Sequence, residues 1–149
     1  MVDGGYADFM VARASHALPI PDSLTSEEAA PLFCAGLTAY RALKRSGVTA
    51  GQTVAIFGVG GLGHLAVQYA RALGLYTIAV TSRADKQAEA RQMGADEVVL
   101  SGDDPGLALQ AAGSVDMILS TTDSAPQIER ALRGLRPQGR LVSVGVPDK

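Results

Sequence analysis

From residue 53 onward, short apolar runs alternate with segments whose apolar positions recur every three or four residues. The runs predict strands at about 53–58, 76–81, 97–100, 115–120 and 140–144, and the periodic segments predict helices at about 61–73, 84–93, 104–112 and 124–135. Leu62, Leu65, Ala66, Tyr69, Ala70 and Leu73 share one face of the first helix; Ile128, Ala131, Leu132 and Leu135 share one face of the last. Glycines at 74, 94 and 113 end helical segments, and Pro137 with Gly139 predicts a turn before the fifth strand. Strands separated by helices of this length build a parallel, doubly wound α/β sheet.

The first part of the chain breaks this rhythm. Residues 6–13 read as a strand without an obvious partner, and 18–22, Leu-Pro-Ile-Pro-Asp, as an extended connector. Thr25 and Glu28 have the spacing of a capping box; the helix they open pauses near Pro31 and resumes through Tyr40 and Leu43 to Gly47. The chain reads as a piece of a longer polypeptide, with residues 1–30 outside the dinucleotide-type domain expected over 31–149. Five of that fold's usual six strands are countable, so the chain reads as stopping before its last strand.

The junction of the first strand and helix carries the sharpest chemistry. The strand runs into Gly58-x-Gly60-x-x-Gly63, the dinucleotide fingerprint in its proper context. Gly58 permits the tight turn, Gly60 lets a pyrophosphate approach the backbone, and Gly63 lets the helix pack close to the sheet. The N–H groups of Gly61 and Leu62, at the helix's positive end, complete an anion cradle. A ligand-free glycine turn would weaken the junction without a gain.

The tip of the second strand bears on which nucleotide is taken. A free ribose 2′-OH is usually held there by an Asp or Glu; this chain has Thr81-Ser82-Arg83, then Lys86. A hydroxyl and two cations suit a 2′-phosphate, hence NADP, with NAD still possible. Alternatively Ser82 caps the helix with Asp85 closing the box, and Arg83 and Lys86 are surface charges. An arginine in a first helical turn opposes the macrodipole by about 0.3–1 kcal/mol, and a rule broken at a binding edge favours function.

Composition narrows the rest. The chain has 149 residues, 47% hydrophobic and 19% charged, with net charge −2 and no basic tract, which gives nucleic acid no footprint. One cysteine excludes an internal disulfide and fits a reducing, cytoplasmic setting. No apolar stretch is long enough to span a membrane, and no secretory leader is visible. His64, in the first turn of the fingerprint helix, reads as neutral and packing.

Five stretches together carry a family resemblance: Gly4-Gly-Tyr-Ala-Asp-Phe, Ala29-Ala-Pro-Leu-Phe-Cys-Ala-Gly-Leu-Thr-Ala-Tyr, Gly58-Val-Gly-Gly-Leu-Gly-His-Leu-Ala-Val-Gln-Tyr-Ala, Met93-Gly-Ala-Asp and Val144-Gly-Val-Pro. Over residues 5–149 the chain resembles the zinc-containing medium-chain alcohol dehydrogenases, nearest to the NADP-preferring cinnamyl-alcohol-type branch. The resemblance implies hydride transfer between a nicotinamide and a small alcohol or aldehyde. It implies that Cys34 is one ligand of a catalytic zinc, although a lone cysteine is otherwise more often a buried small hydrophobe. It implies that Thr38, Val144, Gly145 and Val146 lie about the nicotinamide, and that Thr121 lies in the loop after strand four that faces the cofactor. The other zinc ligands, the proton relay and most of the substrate pocket belong to a GroES-like catalytic domain represented here only by its tail. The chain alone is therefore expected to be inactive, and its uncovered surface to self-associate. Two alternatives remain: a zinc-free quinone or enoyl reductase of the same superfamily, and a nucleotide-binding module without catalysis.

Overall fold

The computed structural model describes residues 5–145. The helices are α1 (Ser26–Ala29), α2 (Ala35–Ser46), α3 (Gly63–Ala72), α4 (Gln87–Gln92), α5 (Pro105–Ala111) and α6 (Ala125–Ala131), and the strands are β1 (Thr53–Phe57), β2 (Tyr76–Thr81), β3 (Glu97–Leu100), β4 (Val115–Ser120) and β5 (Leu135–Ser143). The strands form one parallel sheet in the order β3-β2-β1-β4-β5. This is the doubly wound arrangement expected from the alternation, with the order reversing between β1 and β4.

Burial follows from that topology. All five residues of β1 are buried, as a central parallel strand covered on both faces requires. Val54 and Ile56 point into a cluster with Leu43, Val67, Ala90 and Leu119, under α2, α3 and α4. Ala55 and Phe57 point the other way, to Leu109, Ile118 and Ala131 under α5 and α6. Right-handed crossovers put helices on opposite faces once the winding direction reverses. Each fully buried Ile or Val in these layers contributes about 1.5–3 kcal/mol.

The capping box is present: Glu28 N donates to Thr25 Oγ1 at 3.2 Å, and Thr25 N donates to Glu28 Oε2 at 2.9 Å. The helix breaks at Pro31 through a 3₁₀ segment, Ala30–Phe33, and α2 ends at Gly47 in the left-handed region. Tyr40 and Tyr69 then meet edge to face, centroids 6.0 Å apart, where α2 packs on α3.

Three expectations fail. Residues 6–13 form no strand and lie exposed, because a strand needs a ladder and the described residues offer it no neighbour. The fifth strand starts at Leu135, not 140; Pro137-Gln138-Gly139 is an irregularity within it, with Gln138 at φ 65°, and pairing resumes at Met117↔Arg140. The last helix ends at Ala131 and tightens into a 3₁₀ turn, Leu132–Gly134, so Leu132 is exposed rather than core-facing.

Two aspartates tie the sheet at its lower edge. Asp96 accepts from Thr77 N at 2.7 Å, and Asp116 accepts from Thr53 N at 2.8 Å and from Arg136 Nη1 at 2.8 Å. Each satisfies an N–H at the start of a strand, the first of β1 and the second of β2. Asp116→Ala leaves Thr53 N–H without its acceptor and is expected to cost about 1–3 kcal/mol in urea unfolding. An unchanged unfolding midpoint would show that the tie is dispensable.

Candidate functional site

The switch between β1 and β4 opens a crevice at the carboxyl ends of the strands, where ligands of such sheets bind. A cleft of about 330 Å³ lies here, lined by the β1 end and fingerprint (Phe57, Gly58, Val59, Gly60), the β2 end with the turn after it (Val80, Thr81, Ser82, Arg83, Lys86), and Ser101, Thr122 and Gln127.

The three glycines differ in what their backbone positions require. Gly58 has φ 87°, and its N–H donates to Val80 O at 2.9 Å. A Cβ on Gly63 would overlap the Gly58 carbonyl, so only glycine lets α3 start this close to the strand. A Cβ on Gly60 would meet nothing within 4 Å: the space above that backbone is open. Gly61 is likewise unobstructed, and Leu62 caps α3 with no side-chain hydrogen bond, so no side chain covers the helix N-terminus. His64 is half-buried with Nδ1 3.1 Å from Gly60 O, so it braces the loop, in keeping with a packing histidine.

The β2 tip differs from its expected local structure. Arg83 precedes a 3₁₀ turn, Ala84–Lys86, in extended conformation (φ −109°, ψ 116°) with no side-chain cap. Neither Ser82 nor Arg83 lies in a first helical turn, so the Ser82–Asp85 capping box is absent and the macrodipole argument for Arg83 lapses. The turn is instead set by Arg83 N donating to Thr81 Oγ1 at 3.1 Å. Arg83 Nε and Nη2 donate to Asp85 Oδ1 and Oδ2 at 3.1 and 2.5 Å, and Lys86 pairs with Glu89. The hydrogen bond from Arg83 holds the Asp85 carboxyl below its ordinary value, and the same bond raises the Arg83 guanidinium.

Of the residues singled out from sequence, the cleft lining brings together Gly58, Gly60, Ser82, Arg83 and Lys86; Gly61, Leu62 and Gly63 form the adjoining loop and helix start. Thr121 lies beneath Gly58, its hydroxyl donating to Phe57 O at 2.8 Å and Gly58 O at 3.1 Å. It holds the β1 turn, and its neighbour Thr122 lines the cleft. Val144 N donates to Ser120 O at 2.9 Å, and Gly145 is pressed against Thr122, where a Cβ would not fit. Val146 lies outside the described residues. Thr38, on α2, and Cys34, exposed just before it, are not among the lining residues. Among the described residues no group of three His, Cys, Asp or Glu could hold a metal ion, so Cys34 does not make a zinc site with the described side chains.

Ser101 went unnoticed in the sequence. It is 3% exposed, lines the cleft, and its Oγ has no hydrogen-bond partner. It is the residue immediately after β3, and asking which residue follows each strand would have found it. Beside Cys34, a second groove of about 180 Å³ is apolar, formed by Leu18, Pro19, Ile20, Leu32, Phe33 and Leu37 with their neighbours.

Residues 61–149 match the family described as zinc-binding dehydrogenase. An alcohol dehydrogenase of Geobacillus stearothermophilus is 46% identical over 99% of this chain and 44% of its own length. The alcohol dehydrogenase of the archaeon Aeropyrum pernix superposes with TM-score 0.88 at 34% identity, covering 99% of this chain and 45% of that one. A quinone oxidoreductase from Thermus thermophilus, solved also in complex with NADPH, superposes with TM-score 0.76 at 38% identity, over 87% of this chain and 42% of its own. The chain thus spans under half the length of the relatives it matches.

Proposed function

Since this chain belongs to the zinc-binding dehydrogenase family, in its medium-chain alcohol dehydrogenase group, we propose that it is the nucleotide-holding part of an NADP-preferring alcohol or aldehyde oxidoreductase. The observation that carries the reading is the cleft itself: an unobstructed Gly60 backbone and uncapped helix start at one end, Ser82, Arg83 and Lys86 at the other. When bound, the nicotinamide supplies or accepts the hydride. The chain's residues bind and orient. Gly60, Gly61 and Leu62 present backbone to the pyrophosphate, with no side chain in its way. Arg83, Lys86 and Ser82 donate to a 2′-phosphate, and Ser101 offers its unpartnered hydroxyl to the adenosine half. Thr122, Val144 and Gly145 flank the nicotinamide half, and Thr121 keeps the β1 turn in shape for it. By the resemblance, Thr38 and Val146 belong to that half and Cys34 to a zinc completed by side chains from elsewhere. The described residues do not fit a whole metal site, so no step is assigned to it.

The likeness to the Thermus quinone oxidoreductase favours a second reading, a zinc-free reductase with the same nucleotide domain. Metal analysis of the active, complete enzyme separates them: bound zinc upholds the first, and full activity without metal the second.

Paired calorimetric titrations of the chain with NADPH and NADH at matched low salt test the nucleotide reading. NADPH is expected to bind more tightly. Equal or tighter NADH binding would remove the NADP preference and keep the cleft; binding of neither would remove the cleft's role in this chain.

The single cysteine supports a cytoplasmic, reducing placement, and the net charge of −2 without a basic tract supports the absence of nucleic-acid partners; among the described residues no helix is long and apolar enough to cross a membrane. The β5 edge and the apolar groove support self-association. Sedimentation across a concentration series is expected to show weight-average mass rising; a constant monomer mass would refute this.

A further inference from the structure

We propose that Asp85 is the residue that sets how strongly this cleft discriminates between a 2′-phosphate and a 2′-hydroxyl, by competing for the guanidinium of Arg83. The inference rests on the nucleotide reading above and adds a selector to it. Arg83 is held along one whole edge of its fork, Nε to Oδ1 at 3.1 Å and Nη2 to Oδ2 at 2.5 Å, by a carboxylate two residues away. That is the geometry with which a guanidinium grips a phosphate. Asp85 therefore occupies the donors that a 2′-phosphate would use. The neighbouring cation, Lys86, is likewise engaged by Glu89.

The pair is exposed, with the side chains of Arg83 and Asp85 at 65% and 60%, so water and salt weaken it and a dianionic phosphate can displace it. The displaced carboxylate cannot leave. Asp85 sits inside the Ala84–Lys86 turn, closed by Lys86 N donating to Arg83 O at 3.2 Å. It stays near the phosphate and repels it. With a 2′-hydroxyl in place of the phosphate, Arg83 can remain paired, and the nearby carboxylate is an acceptor for the hydroxyl. One arginine–carboxylate pair thus serves both cofactors: phosphate recruits Arg83, hydroxyl is served by Asp85. The preference for NADPH is held below what Arg83 and Lys86 alone would give.

The test is a set of titrations with NADPH and NADH on the unaltered chain, Asp85→Asn, Asp85→Ala, Arg83→Ala and Arg83→Ala/Asp85→Asn. Both Asp85 variants are expected to bind NADPH about threefold to tenfold more tightly and NADH no more tightly. The NADPH gain should shrink with added salt and disappear when Arg83 is absent. An unchanged NADPH affinity in both Asp85 variants, with Arg83→Ala still weakening NADPH, overturns the selector and leaves the nucleotide reading standing. An equal gain for both cofactors, or a gain that persists in the double variant, also overturns it. If Arg83→Ala does not weaken NADPH, the 2′-phosphate reading falls and the selector falls with it.

Discussion

Gly60→Val is expected to leave the protein folded and to abolish nucleotide binding, whereas Gly63→Val is expected to unfold it. The two glycines belong to one fingerprint and do opposite things. At Gly60 the backbone is not left-handed and a Cβ meets no atom within 4 Å, so a valine costs the empty protein less than about 1 kcal/mol. The same side chain fills the space through which a pyrophosphate must reach the backbone. Two charge-assisted hydrogen bonds lost at about 1.5–3 kcal/mol each lower affinity by more than about a hundredfold. At Gly63 the added atoms collide with the Gly58 carbonyl, which can yield only by prising α3 from β1. The cost is about 3 kcal/mol or more, a large part of a small domain's stability. Urea unfolding followed by circular dichroism, beside calorimetry with NADPH, reads both effects. Retained binding in Gly60→Val would refute the cradle, and equal destabilisation by both would refute the division of labour.

Arg83→Ala is expected to weaken NADPH by about tenfold to a hundredfold and to change NADH by less than about threefold. The size follows from hydrogen bonds to a charged group, about 1.5–3 kcal/mol, on a side chain that lines the cleft. Stability should barely move, because the pair it forms with Asp85 lies in water. A proton readout accompanies it. Asp85 titrates below its ordinary value of 3.8 while Arg83 hydrogen-bonds it, so its titration should move up when Arg83 is removed. A carboxyl lowered by folding contributes stability above its unfolded value and loses it as pH falls through the folded one, so any contribution of this pair declines as pH falls below 3.8. NMR titration of the Asp85 carboxyl checks the shift. Parallel losses of NADPH and NADH affinity would deny Arg83 any role in choosing between them.

Local signals carried far in this chain. The strands over 76–81, 97–100 and 115–120 occur with the expected bounds, because apolar runs and glycines punctuate them within a few residues. The capping box, the break at Pro31, the stop at Gly47 and the structural roles of Gly58 and Gly63 were equally legible, since each is decided by atoms close along the backbone. What the tertiary structure decided involves partners distant in sequence. β5 runs through Pro137 because β4 supplies its ladder on either side, a pairing that outweighs the local turn signal. Residues 6–13 carry a strand pattern and form none, for want of a ladder. The hydroxyl of Thr121 holds carbonyls over 60 residues away, Ser101 reaches the cleft because β3 ends beside β2, and Asp116 crosses to the start of β1. Arg83 was legible as a cation at a strand tip. That it already holds a carboxylate was not, because a turn's geometry, not its composition, decides which neighbour a side chain meets.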